Sequence, residues 1–332
     1  MIGRRFMLGS LAAGPLAVRR AFAAAPGTPI TMAISSGSMA YGGLRIAQKA
    51  GLFEKNGITA TVTATVTVME SGSAAMTAVL SGSVEFCSAS LGEVLAAQVR
   101  GQKIVVVANV YRGLSGSMVL AKPVADKLGV PASAPLGARL KAVGGLTIAT
   151  PSATSSYTFP FRIAGQAAGA QPHFVYMAQP AMVAALKTGA VQGMIAGAPF
   201  STEAVASGAG IMWVSGPKGE LPADAAPASS AAVETSEAYA KAHRDVVARV
   251  RASFDALSRF IKEEPGDAER LLASAYPQLD AKTISGIFRD DGPNWARPAM
   301  TVDDIRHEIL LQQKAGLLKG LEGIDPASVL AL

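Results

Sequence analysis

Two well-separated stretches carry one grammar. Ala78-Val79-Leu80-Ser81-Gly82-Ser83-Val84-Glu85 matches Ala185-Leu186-Lys187-Thr188-Gly189-Ala190-Val191-Gln192 in pattern. Each reads as the end of a helix, a glycine stop where a positive φ is wanted, and the entry to a strand. The same alternation runs through each half of the chain. Strands are expected at Ile30 to Ser35, Ile58 to Val68, Val84 to Ser88 and Ile104 to Val110, with helices at Leu44 to Lys55, Ser73 to Ser81 and Val94 to Arg100 between them. After a Pro/Gly-rich loop, Lys122 to Gly145, the rhythm restarts. Strands are expected at Leu146 to Thr150, Phe174 to Met177 and Val191 to Ala196, with helices at Ser156 to Ala168 and Ala181 to Thr188. Repeated β-α-β units dictate mostly parallel sheets with helices on both faces. The fold class is α/β, and 332 residues suit two domains of ordinary size.

Beyond a second Pro/Ala/Gly-rich stretch, Ser215 to Ala228, the chain reads as helical. His243 to Lys262 places Val246, Val247, Val250, Phe254, Leu257 and Ile261 on one face, a packing helix with no visible chemistry.

Half the residues are hydrophobic and the mean hydropathy is +0.31, so a membrane span has to be considered. The longest strongly apolar stretch, Phe6 to Val18, is shorter than the roughly 20 residues a spanning helix needs. Its setting reads as an export signal over residues 1–25: Arg4 and Arg5, the apolar run, then small residues at Ala21-Phe22-Ala23 and Ala23-Ala24-Ala25. Arg4-Arg5-Phe6-Met7-Leu8 resembles a twin-arginine signal, with an ordinary secretory signal as the alternative. The segment holds Arg4, Arg5, Arg19 and Arg20 and no acidic residue, so without these four charges the formal +6 falls to about +2. No Lys/Arg run remains, which excludes a nucleic-acid footprint. Cys87 is the one cysteine and is expected to be buried at a strand end. No cysteine follows the cleavage sites, so the expected product is periplasmic, soluble and not lipid-anchored.

In parallel α/β sheets ligands sit beyond the carboxyl ends of the strands. That rule selects Ser36, Gly37 and Tyr41; Ser71, Gly72 and Ser73; Ser88 and Ser90; Tyr111 and Arg112; Ser152, Thr154, Ser155, Ser156 and Tyr157; and Gly197. Most are neutral and small, as helix caps also are. Arg112 is the one cation in the set, placed either to meet a carboxylate or sulfonate or to sit on the surface. Ser71-Gly72-Ser73 and Ser152 to Tyr157 are both polar turns leading into helices, expected to grip one ligand from two sides.

Ala47-Gln48-Lys49-Ala50-Gly51-Leu52-Phe53-Glu54-Lys55-Asn56-Gly57-Ile58, the run from Gly72 through Phe86, and Leu186 through Gln192 resemble the periplasmic substrate-binding proteins of sulfonate, taurine and nitrate ABC importers, and the related thiamine-pyrimidine-precursor binding proteins. The family usually has Asp where this chain has Glu85 and Gln192. The resemblance implies the two-lobed type II periplasmic-binding-protein fold: residues 26–117 and 233–332 as one lobe and residues 118–232 as the other. Chain crossings are expected near Gly116 to Ala121 and Ala228 to Val233, with a ligand cleft between the lobes. It further implies a small-molecule ligand, an inner-membrane ABC permease as partner, a monomer, and no cofactor or metal.

Two other functions are compatible with the same fold. An enzyme of the thiamine-pyrimidine synthase or sulfinate desulfinase kind would need a cysteine-rich motif or a nucleophilic cysteine near the mature start. Cys87 lies elsewhere, without a neighbouring His or Lys to activate it. His173, His243 and His307 lack metal spacing. A periplasmic ligand sensor is the third reading.

Overall fold

The computed structural model describes residues 27–58, 65–68 and 71–331. The expected export signal, residues 1–25, lies outside the described residues. So do residues 59–64 of the expected second strand.

The first sheet is built from β1 (Thr31–Ile34), β2 (Thr65–Val68), β3 (Phe86–Ala89) and β4 (Ile104–Arg112). The second contains β5 (Ser117–Ala121), β6 (Thr147–Thr150), β7 (His173–Tyr176), β8 (Gly193–Ala196) and β9 (Gly210–Ser215). The chain then returns to the first sheet as β10 (Ser229–Ser236). The strand orders are β2-β1-β3-β10-β4 and β7-β6-β8-β5-β9. The two sheets share one plan. β1, β2 and β3 run parallel, as do β6, β7 and β8. Each sheet has one antiparallel strand in the fourth place, β10 or β5, and in each case it is the strand the chain enters directly after changing sheets. The internal repeat of the sequence falls just before β3 and β8, the third strands of both orders.

Gly116 to Ala121 is largely β5, reached from β4 over residues 113–116; Ala228 to Val233 is largely β10, and in the segment 216–228 that leads to it Leu221 and Ala225 still pack in a core of the second lobe, whereas Ala228 packs in a core of the first. The two crossings touch where the Gly113 N–H donates to the Ala228 carbonyl at 3.1 Å. Gly113 has φ +74, which a non-glycine residue would adopt only under strain. The segment Lys122 to Gly145, expected as a loop, contains two short helices, Lys122–Ala125 and Leu136–Ala142.

The first sheet is covered on both faces. One core holds Phe53, Phe86, Tyr111, Phe254 and Trp295, with Phe53 and Phe254 edge to face at 6.0 Å. The helix Arg244–Glu263 delivers Val246, Val247, Val250, Phe254, Leu257 and Ile261 to it, the stripe read from the sequence. The helix Val302–Ala315 joins the lobes. Ile305 and Ile309 enter the first lobe's other core, whereas Leu311 and Ala315 enter a core of the second lobe. Its polar face reaches both crossings: Asp304 pairs with Arg112 at 2.7 Å, and Glu308 accepts the Ala228 N–H at 3.3 Å.

Candidate functional site

A cavity of about 50 Å³ lies between the lobes, where the carboxyl ends of the parallel strands and the starts of several helices converge. From the first lobe, Ser36 and Tyr41 follow β1, Ser71 and Gly72 open the helix Gly72–Leu80, and Ser90 opens the helix Leu91–Val99. From the second lobe come Ser152, Ser155, Ser156 and Tyr157, in the turn between β6 and the helix Phe159–Ala167. These expected residues therefore meet in one place. The serines also act locally: Ser71 Oγ caps its helix by accepting the Ala74 N–H at 3.2 Å.

Other expected residues stand outside the lining. Ser73 is exposed and bonded to Ser71 at 3.0 Å. Ser88 is buried in β3 with its hydroxyl donating to the Ala232 carbonyl. Tyr111 is buried in the first core, its hydroxyl donating to Asp291 at 2.6 Å. Arg112 is held by Asp304 at the crossing and does not reach the cavity lining. Gly37 borders no other group closely, and the Thr154 carbonyl faces Gly92 across the lobe boundary. Gly197 sits behind the lining, where a Cβ would lie 2.7 Å from the Tyr157 hydroxyl.

The sequence reading missed three lining side chains that shape the site. Glu93 is the first. Its carboxylate Oε2 accepts the Ser90 N–H at 3.2 Å and the Ser90 hydroxyl at 3.0 Å, completing a capping box. The spacing Ser90-Leu91-Gly92-Glu93 was the signal that could have found it. The same carboxylate packs against Gly72, where an added Cβ would lie 2.1 Å from Oε2. A glycine at that helix mouth lets the Glu93 carboxylate lie where it does; a larger residue would displace it. Gln179 is the second. It opens the helix Gln179–Thr188 of the second lobe, donates from Nε2 to Ser36 Oγ at 3.1 Å, and accepts the Gly197 N–H at 2.9 Å. Ser230 of β10 is the third, donating its hydroxyl to the Gly113 carbonyl at 2.7 Å.

The lobes are shut against each other here. Tyr157 of the second lobe accepts a bond from Ser115 at 2.9 Å and meets Ser38 of the first lobe at 3.4 Å. The Met39 N–H donates to the Ala198 carbonyl across the boundary at 2.6 Å. A water needs about 10–15 Å³ of such space, so the closed cavity admits a few waters or a ligand of few heavy atoms.

The electrostatics are simple. No Lys, Arg or His is among the described lining residues, and Glu93 is the one carboxylate. Burial pushes its carboxyl above the usual range, opposed by the bonds from Ser90 and by the neighbouring Ser152 hydroxyl. Ser152 Oγ is itself buried and makes no well-aligned hydrogen bond within the protein. Burial also pushes the phenols of Tyr41 and Tyr157 upward, so both are neutral donors. Cys87 is fully buried in β3, its thiol donating to Glu234 at 3.6 Å and pushed well up by burial. A wider groove of about 490 Å³ lies elsewhere, between Ser201 and Lys218 of the second lobe and the helix Ala281–Trp295. It lacks the convergence of parallel-strand ends that marks the smaller cavity.

Several solved structures share the fold. The alkanesulfonate-binding protein SsuA of Xanthomonas axonopodis pv. citri, bound to MOPS, superposes with a TM-score of 0.71 at 16% identity, over 92% of this chain and 99% of that one. The aliphatic sulphonate binding protein SsuA of Escherichia coli gives 0.63 at 17% identity, over 87% and 91%. The nitrate-binding protein NrtA of Synechocystis gives 0.67 at 14% identity, over 91% and 85%. The two-lobed architecture is therefore the periplasmic-binding-protein fold. Comparison with curated proteins gives no match. The profile of one family, described as NMT1-like, matches residues 25–274, three quarters of the chain, and the chain belongs to the NMT1-like family.

Proposed function

We propose that the protein is a solute-binding component of an ABC import system, capturing one small molecule between its lobes and presenting it to a permease. The observation that carries this reading is the interlobe cavity. Hydroxyl groups and an amide from both lobes converge on it, and two chain crossings beside it provide a hinge. A ligand held from both sides stabilises the closed form by its differential affinity for that form. Export to the periplasm is the reading of the signal at residues 1–25; among the described residues no helix is long and apolar enough to cross a membrane.

The catalytic alternative requires an activated nucleophile. The one cysteine is buried beside a carboxylate, an environment that keeps a thiol protonated. Small-angle scattering and thermal unfolding across a panel of small solutes test the binding reading. A true ligand at 100 times its Kd adds about 2.7 kcal/mol to stability and reduces the radius of gyration. Chemical turnover of that ligand by the isolated protein would refute it.

A further inference from the structure

We propose that the cleft takes a small organic cation bearing N–H donors, an amine or amidinium, with the Glu93 carboxylate as its counter-charge. The inference rests on the binding reading above and names the class of solute.

The argument is one of charge and hydrogen-bond supply. The lobes close on Glu93 without bringing a cation with them: the described lining residues from the second lobe are Pro, Ser, Tyr, Met, Ala and Gln. The groups facing Glu93 are Ser90 on its own helix, Ser152 across the cleft, the neutral phenol of Tyr41, and Cys87 and Glu234 of the sheet. None supplies positive charge. Arg112, the cation the sequence offered for an anionic ligand, is bound to Asp304. A buried carboxylate is stable when paired and costly when alone. Without a ligand, protonation relieves that cost, in keeping with the upward push on Glu93. An N–H-bearing cation relieves it better, by supplying both charge and donors. Glu93 Oε2 is engaged by Ser90, and the only other protein group acting on the carboxyl among the described residues is the neutral Ser152 hydroxyl across the cleft. The Ser152 hydroxyl, which neighbours the carboxyl from across the cleft, leaves its oxygen lone pairs as a further acceptor. An anion would meet the Glu93 charge with no compensating cation.

The rival arrangement is a protonated Glu93 donating to an anion. The two differ in the sign of their pH dependence. A cation displaces the Glu93 proton, so its affinity rises with pH through the raised carboxyl range; an anion accepting from the protonated group weakens over the same range.

The experiment uses the full mature protein, calorimetry and thermal unfolding, with methylguanidinium as the probe. Tetramethylammonium serves as a cation without N–H groups, and methanesulfonate as an anion. Methylguanidinium is expected to raise the melting temperature and bind more tightly as the pH rises above the ordinary carboxylate range, while the other two leave it unchanged. Glu93→Gln, which retains the capping-box bonds, is expected to weaken the probe by roughly ten- to hundredfold. Ser152→Ala, which removes the hydroxyl beside the Glu93 carboxyl, is expected to weaken it by a few-fold. Stabilisation by methanesulfonate would overturn the cation assignment while leaving the solute-binding reading standing. Absence of any effect from methylguanidinium, or equal binding by Glu93→Gln, would also overturn it. The binding reading fails separately, when no solute of either sign or of none closes the lobes.

Discussion

Replacing Gly72 by Ala tests the pairing of glycine and carboxylate at the centre of the site. The backbone there is permissive, since Gly72 is not among the glycines with positive φ. In an open first helical turn the change would add about 0.4–1 kcal/mol of stability by restricting the unfolded chain. The added Cβ, however, falls 2.1 Å from Glu93 Oε2 and 2.5 Å from its carboxyl carbon. Ordinary contact begins near 3.4 Å, so the carboxylate has to move by more than an ångström. It is the end of a flexible side chain and can do so, but the two bonds from Ser90 are lost. That loss removes a helix cap, at a cost of about 1 kcal/mol. The opposing contributions nearly cancel, and urea unfolding is expected to give a net change within about 0.5 kcal/mol of zero. Binding of methylguanidinium has no such compensation. Moving the carboxylate forfeits a charged hydrogen bond of about 1.5–3 kcal/mol, a ten- to hundredfold loss by calorimetry. A variant that gains the full helix stabilisation and binds as the parent does would show that Glu93 is not held against Gly72 and does not serve the ligand.

Arg112→Ala is expected to leave probe affinity within twofold and to cost at most about 1 kcal/mol, because its partner pair with Asp304 is partly solvated; a tenfold loss in calorimetry would return Arg112 to the cleft. Tyr157→Phe is expected to destabilise by about 1–2 kcal/mol in urea unfolding, since it strips the acceptor from the buried Ser115 hydroxyl; an unchanged midpoint would refute that role. Glu308, fully buried, is pushed up to about 8 by desolvation. The contribution of its protonated form is complete below the unfolded carboxyl value of about 4.3 and declines by up to about 1.4 kcal/mol per pH unit until the pH passes about 8. Asp291, pushed up to about 7, acts with the same sign. Glu308→Gln is therefore expected to flatten the fall in stability between about pH 5 and about pH 8, and an unaltered slope would show that Glu308 does not carry it.

The parallel strands were legible as short apolar runs fenced by glycine stops and polar turns, or, for β2, as Thr alternating with Val. The antiparallel strands were not. β10 reads Ser229-Ser230-Ala231-Ala232-Val233-Glu234-Thr235-Ser236, with little intrinsic strand preference. It becomes a strand because it lies between β3 and β4, where its backbone is paired on both sides. β5 likewise breaks the alternation of strand and helix: it follows β4 with no helix between, is paired on both sides by β8 and β9, and fills the place in the second sheet that β10 fills in the first. Sequence periodicity reports what a segment could form; the sheet position that demands it comes from segments far away in the chain.

The site divides along a similar line. Serines at helix starts were visible because a cap and a cleft face occupy the same end of the same element. Glu93 was hidden because its local role is complete: a capping box explains Ser90 and Glu93 without a ligand. Arg112 drew attention for the opposite reason, a lone cation beside a cleft with no local partner in sequence. Its partner, Asp304, is supplied by a helix nearly two hundred residues later, whose next turn brings Glu308 to the other crossing. One helix thereby ties both hinge segments. Arg112 already has its partner within the protein, whereas on the proposed reading the carboxylate at the cleft gains one only on closure around a ligand. That difference in when each charge is neutralised, more than the kind of residue, separates hinge from binding group here, and it makes Glu93 the group on which ligand selection turns.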